Sequence, residues 1–214
     1  MITHVSYSMM NLWQTCRECF KYKYILRLKG EIPDYFEAGR IYHDNVDAYH
    51  RGKKYDAQLI EAYTRVYPPE YRKLSELWLE DLNHGLPVRL PGVELPIKGK
   101  IDGVTETGLA DLKYMKGKLS QRQADESDQA AIYIAVYAAL TNKRVPFEYN
   151  IIDKVTGKAS LVKTTRPAEY DEILKLKINN FIEEVKLGDY TALPGTSCHG
   201  HCEYYNICSN CAGH

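Results

Sequence analysis

Apolar residues near the start of the chain recur at helical spacing. Met9, Leu12 and Trp13 share one face of a segment that Ser6 or Ser8 can cap, which predicts a helix ending near Cys16. An aromatic and basic run, FKYKYILRL, follows and reads as helical or extended against the body. Pro33 breaks the pattern. A helix is predicted over 35–51, where Gly39, His43, Val46 and His50 fall on one face. Two further helical stretches cover 55–67 and 69–84, with Pro69 suited to a helix start and Gly85 to a helix end. The period then shortens to that of strands over 86–90, 95–105 and 108–115. An apolar helix over 124–141 comes next, then strands over 146–153 and 158–165 around a Thr156-Gly157 turn. A helix over 167–187 ends at Gly188. The tail, LPGTSCHGHCEYYNICSNCAGH, is too rich in cysteine and glycine for a regular element. Helices, antiparallel strands, a helix and more strands, in that order, describe an α/β layer with a mixed sheet.

One stretch in this pattern carries unusual charge. Residues 98–118 read KGKIDGVTETGLADLKYMKGK, two β-like segments joined by a polar turn. Residues i and i+2 of a strand project from the same face, so Asp111 and Lys113 stand side by side, and the hairpin brings Asp102 opposite. Both aspartates sit in segments otherwise suited to burial, IKGKIDGV and LADLK, and a charge in such a place needs a partner. Two carboxylates in one pocket repel unless a cation lies between them, and hard divalent ions favour oxygen ligands. The stretch therefore reads as a metal-dependent hydrolytic centre. Glu94 is a further acid nearby in sequence.

Composition narrows the setting. The 214 residues suit one domain with an elaboration, and 44% hydrophobic with 26% charged residues is ordinary for a soluble globule. No apolar run reaches the length of a membrane span, and the N-terminus lacks the pattern of a secretory signal, so a cytoplasmic protein is expected. The 28 basic and 28 acidic residues balance, which excludes nucleic-acid binding by bulk charge and leaves it to local patches. Such patches include Lys21, Lys23, Arg27 and Lys29, then Arg51, Lys53 and Lys54, then Lys113, Lys116 and Lys118. The six cysteines gather at the two ends, Cys16 and Cys19 against Cys198, Cys202, Cys208 and Cys211, which favours metal ligation over disulfides.

The residues in order resemble a known family. GKIDGV followed by LADLK is similar to the core of the PD-(D/E)XK nuclease superfamily, and three flanking features resemble its RecB-like branch. These are Gly39 and His43 in GRIYHDNV, Gln129 and Tyr133 one helical turn apart after the core, and the opening Ser6, Ser8 and Cys16, with Arg17 where proline often stands. The resemblance implies a restriction-endonuclease-like mixed sheet flanked by helices. It implies that Asp102 and Asp111 bind Mg²⁺ or Mn²⁺, with the backbone carbonyl of Leu112 and the His43 ring as further ligands. Lys113 would position or polarise the attacking water, and Gln129 and Tyr133 would contact DNA near the scissile phosphate. The activity implied is hydrolysis of phosphodiester bonds by an exonuclease acting on single-stranded DNA or DNA ends.

The cysteines allow two arrangements. Two C-x2-C pairs, Cys16-Cys19 and Cys208-Cys211, form a zinc-like set. Alternatively, Cys16 with Cys198, Cys202 and Cys208 resembles the four-cysteine [4Fe–4S] staple of AddB-type and CRISPR-adaptation nucleases, with C-x3-C-x5-C here where C-x2-C-x5-C is usual. His199, His201 and His214 also leave a mixed cysteine–histidine zinc site open. In each case the metal ties the chain ends together. The domain expectation is one nuclease domain over 1–214, a helical cap over 44–85, and a metal tail over 195–214 paired with 16–19. The rival readings are a non-catalytic nucleic-acid-binding or assembly module of the same fold, and a zinc-stapled variant.

Overall fold

The structure, a computed structural model, describes residues 1–31, 34–67, 87–104, 107–191 and 202–208. Helix α1 spans Tyr7–Thr15, and the Ser6 hydroxyl caps it by accepting the Met9 amide at 3.2 Å. Cys16 closes α1 and caps the short helix α2, Arg17–Phe20. The chain then passes into a π-helical turn over Lys21–Ile25, so the aromatic and basic run is helical where it begins. Helix α3 spans Asp34–His50, within a residue of the span its periodicity predicts.

The helix expected over 55–67 is reduced to α4, Glu61–Thr64. Asp56 explains the loss. Its carboxylate accepts the amides of Gln58 and Leu59 at 3.0 and 3.1 Å, and side-chain bonds of this kind compete with helical ones. The expected helix over 69–84 lies outside the described residues, as does the start of the strand expected over 86–90. From that strand, Val88 forms an isolated bridge to Ile97. The strand expected over 95–105 likewise narrows to bridges at Ile97 and to β1, Gly103–Val104. Pro96 interrupts the run because it has no amide to donate, although its carbonyl accepts from Val5 at 2.9 Å.

The sheet runs β1-β2-β3-β4, with β2 at Leu109–Met115, β3 at Phe147–Asp153 and β4 at Ala159–Thr164. β1 pairs antiparallel with β2, β2 parallel with β3, and β3 antiparallel with β4, which makes the mixed sheet expected from the sequence. A parallel pair needs a crossover. It is supplied by α5, Gln121–Asp125, and α6, Asp128–Thr141.

These two helices replace the single one expected over 124–141. Ser120 opens α5 in a capping box with Gln123, and Ser127 caps α6. Arg166 holds the break between them. Its buried guanidinium donates to the carbonyls of Ala124 and Ser127 at 3.0 and 3.1 Å and to the Thr164 hydroxyl at 2.6 Å. Helix α7, Tyr170–Leu187, ends at Gly188, whose φ of 76° is the left-handed cap that glycine favours.

Alternation along β2 sorts the core. Leu109 packs with Phe147, Tyr149 and Ile151 beneath α6, through Ala130, Ile134 and Tyr137. Leu112 and Tyr114 face the opposite layer, with Tyr42 and Val46 of α3 and with Ile60 and Tyr63. Tyr42 and Tyr114 stack with centroids 4.0 Å apart. Of the region predicted as a cap, the described part thus packs on this face of the sheet. A third cluster joins α1, α6 and α7, with Trp13 set edge-on to Phe20, Phe181 and Tyr190.

Candidate active site

Strand alternation puts Asp111 and Lys113 on the α6 side of β2. Asp111 is 5% exposed, and Lys113 Nζ lies 2.9 Å from its Oδ2. Gln129, in the first turn of α6 and 7% exposed, joins the two. Its Nε2 donates to Asp111 Oδ1 at 2.7 Å, and its Oε1 accepts from Lys113 Nζ at 3.0 Å. Asp102 immediately precedes β1. Its Oδ2 accepts the Leu112 amide at 3.2 Å, which fixes it beside Asp111 across the ladder. His43, on α3, brings Nδ1 to 3.8 Å from the same Asp102 oxygen.

Burial pushes the Asp111 carboxyl up to about 6; the Asp102 charge adds to the rise, while Lys113 and Gln129 oppose it. Asp111 Oδ2 also has no aligned hydrogen-bond donor, despite the nearby ammonium. Two neighbouring carboxylates stand against one ammonium, and the negative charge left over suits a hard cation. Asp102, Asp111 and His43 are placed to hold it. Leu112 lies between Asp111 and Lys113 on β2, with its side chain turned into the opposite core.

Tyr133, a turn beyond Gln129 on α6, is half-buried. Burial and then the fields of Asp111 and Asp102 raise its hydroxyl above the ordinary range. The sequence placed each of these side chains, and the fold brings them together. It adds two tyrosines that the motif omits. Tyr149 is the register partner of Asp111 on β3, and its ring lies 5.9 Å from Lys113 Nζ while its hydroxyl meets Ser127 Oγ at 2.6 Å. Tyr7, in the first turn of α1, lies in the fields of Lys113, Asp111 and Asp128, and burial raises its hydroxyl. The only sequence signal for Tyr7 was its position between Ser6 and Ser8. Glu94 lies apart from this group, paired with Lys186.

The profile of the PD-(D/E)XK nuclease superfamily matches residues 4–209. The chain belongs to that superfamily. The match takes in the two aspartates, the lysine, His43 and the Gln129–Tyr133 pair. Among curated proteins, none matches the sequence. Among solved structures, a candidate exonuclease from Eubacterium rectale superposes with a TM-score of 0.55 at 16% identity, covering 98% of this chain and 87% of that one. At that identity the similarity shows the fold, an α/β layer of the superfamily's type.

A second cluster stands apart from the carboxylates. The sulfur atoms of Cys16, Cys19 and Cys208 lie within 4.8 Å of one another, all buried, and Cys202 Sγ is 2.7 Å from Cys19 Sγ. Of the predicted iron–sulphur set, Cys16 and Cys208 lie in one group and Cys202 touches it through Cys19, while Cys198 lies outside the described residues, as do Cys211 and the three tail histidines. No helix among the described residues is long and apolar enough to cross a membrane.

Proposed function

We propose that the protein is a Mg²⁺- or Mn²⁺-dependent deoxyribonuclease that hydrolyses phosphodiester bonds as an exonuclease, in single-stranded DNA or at DNA ends. One observation carries the reading: Asp111, Lys113 and Gln129 bond one another in a single group, with Asp102 fixed beside them by the Leu112 amide and its charge felt at the buried Asp111. A divalent ion bound there supplies Lewis acidity and a nucleophilic water at neutral pH. Asp102 and Asp111 hold the ion, with His43 and the Leu112 carbonyl completing the set that the family resemblance implies. Lys113 presents its ammonium where negative charge builds on phosphorus, and removing such a group costs on the order of 10²–10³ in rate. Both polar atoms of the Gln129 amide are engaged by Asp111 and Lys113, so Gln129 fixes the distance between them. Gln129 and Tyr133 are the residues to which the resemblance assigns the contact with DNA. The same reading gives the tail a thiolate-bound centre, a [4Fe–4S] cluster by resemblance with zinc as the alternative, and a structural role in tying the chain ends.

Labelled single- and double-stranded DNA incubated with Mg²⁺ or Mn²⁺ tests the assignment. The wild type should shorten strands from their ends only with metal, and Asp111→Ala and Lys113→Ala should not. Wild-type protein that cleaves nothing under any metal would refute the nuclease reading. Cleavage that survives both substitutions would refute the site.

A further inference from the structure

Cys19 is the cysteine near the chain start to which the iron–sulphur pattern gives no role. Local structure puts it next to Cys16. Cys16 caps α2, and its sulfur accepts the Cys19 amide at 3.5 Å, so one helical turn presents both thiols together. Cys208 joins them within 4.8 Å. Cys202 reaches the group through Cys19, at 2.7 Å. All four of these cysteines are free thiols. Cys19 therefore belongs to the Cys16–Cys208 group and also touches Cys202.

The surroundings suit a thiophilic metal. The Tyr204 amide donates to Cys202 Sγ at 3.3 Å, and Tyr204, Leu12 and Tyr22 pack over the sulfurs. Amide donors of this kind stabilise bound thiolates. Glu18 accepts the Cys208 thiol at 3.4 Å. A tetrahedral zinc ion, at about 2.3 Å from each sulfur, spaces four thiolates about 3.8 Å apart. A [4Fe–4S] cluster seats each thiolate on its own iron and spaces them more widely. Both take four cysteines.

We propose that Cys19 is a ligand of the thiolate-bound metal centre, which it completes with Cys16, Cys202 and Cys208. This rests on the reading that the tail holds a metal, and adds the ligand set to it.

The test uses the full chain, purified without oxygen, as wild type, as Cys19→Ser and as the double variant Cys198→Ser/Cys211→Ser. Iron, sulfide and zinc per chain and the absorption spectrum are measured, and none of these depends on DNA cleavage. The double variant retains only the four proposed thiols and should match the wild type in metal content and spectrum. Cys19→Ser should lose most of its metal. Iron with sulfide identifies a cluster and zinc alone a single ion, and either supports Cys19 when the variants behave as stated. If Cys19→Ser does not fold, the double variant decides. Loss of metal from the double variant, full metal in Cys19→Ser, or a Cys19–Cys202 disulfide in the wild type would overturn the ligand set. A metal-free wild type would overturn the centre itself, and Cys19 with it.

Discussion

Asp111→Asn should make the metal-free protein more stable while abolishing cleavage. The Asp111 carboxyl is raised from 3.8 to about 6, so at pH 7.5 it is ionised against a bias of about 3 kcal/mol. Asparagine keeps the shape and removes the charge. It also removes the charged partner of Lys113, but Lys113 keeps the Gln129 oxygen and its side chain, 35% exposed, recovers water. The net gain expected is about 1–3 kcal/mol, or several degrees in Tm for a chain of this length. The sign follows from which state holds the proton. Between pH 3.8 and about 6 the folded protein binds a proton that the unfolded chain does not, so wild-type stability falls as pH rises through that window. The advantage of the variant is therefore full above about pH 6, shrinks below it, and vanishes below about pH 3.8. Magnesium should stabilise the wild type and not the variant, because only the wild type offers it the full site. Urea denaturation of both proteins in EDTA, across this pH range, measures the difference. A variant no more stable than wild type at pH 7.5, or an advantage that ignores pH, would refute the account of Asp111 as a strained, ion-seeking carboxylate.

Two other substitutions test the frame that holds the site. In Gly108→Ala the new Cβ would lie 2.5 Å from the Pro146 carbonyl oxygen, which accepts the Leu109 amide. The start of the parallel β2–β3 pair must shift, at a cost of about 1–3 kcal/mol, read as a lower urea midpoint with unchanged slope. Asp153 accepts from the Thr156 hydroxyl and from the Val155 and Gly117 amides, bonds that hold its carboxyl down at about 2. Its contribution is complete above about pH 3.8 and lost as pH falls through about 2. Asp153→Asn should therefore be less stable than wild type at pH 6, with the gap closing in acid, and an unchanging gap would contradict this.

The carboxylate pair was legible because strand alternation is a short-range rule. Asp111 and Lys113 needed only their spacing, and Asp102 only a hairpin. Gln129 was legible as a motif residue, but its bonds to both were not, because they depend on how α6 docks on β2. Where the sequence reading failed, distant or competing polar groups decided. The expected helix over 124–141 divides because Arg166, some 40 positions later, takes the carbonyls at the break. The helix over 55–67 shortens because Asp56 captures two amides that the helix would have used. Cys19 had a place only in the paired zinc arrangement, and spacing alone could not show that Cys202 would meet it.

The position of Trp13 bears on the order in which the site can assemble during synthesis. Its indole N–H donates to Glu184, which the ribosome adds 171 residues later, and its ring lies against Phe181 and Tyr190. The helix that carries Trp13 also carries Tyr7 to the carboxylate pocket. Until α7 emerges, that helix lacks the surface on which it docks, since contacts of such long range form only when both partners exist. A nascent chain can thus have made every acid and base of the site and still lack its wall.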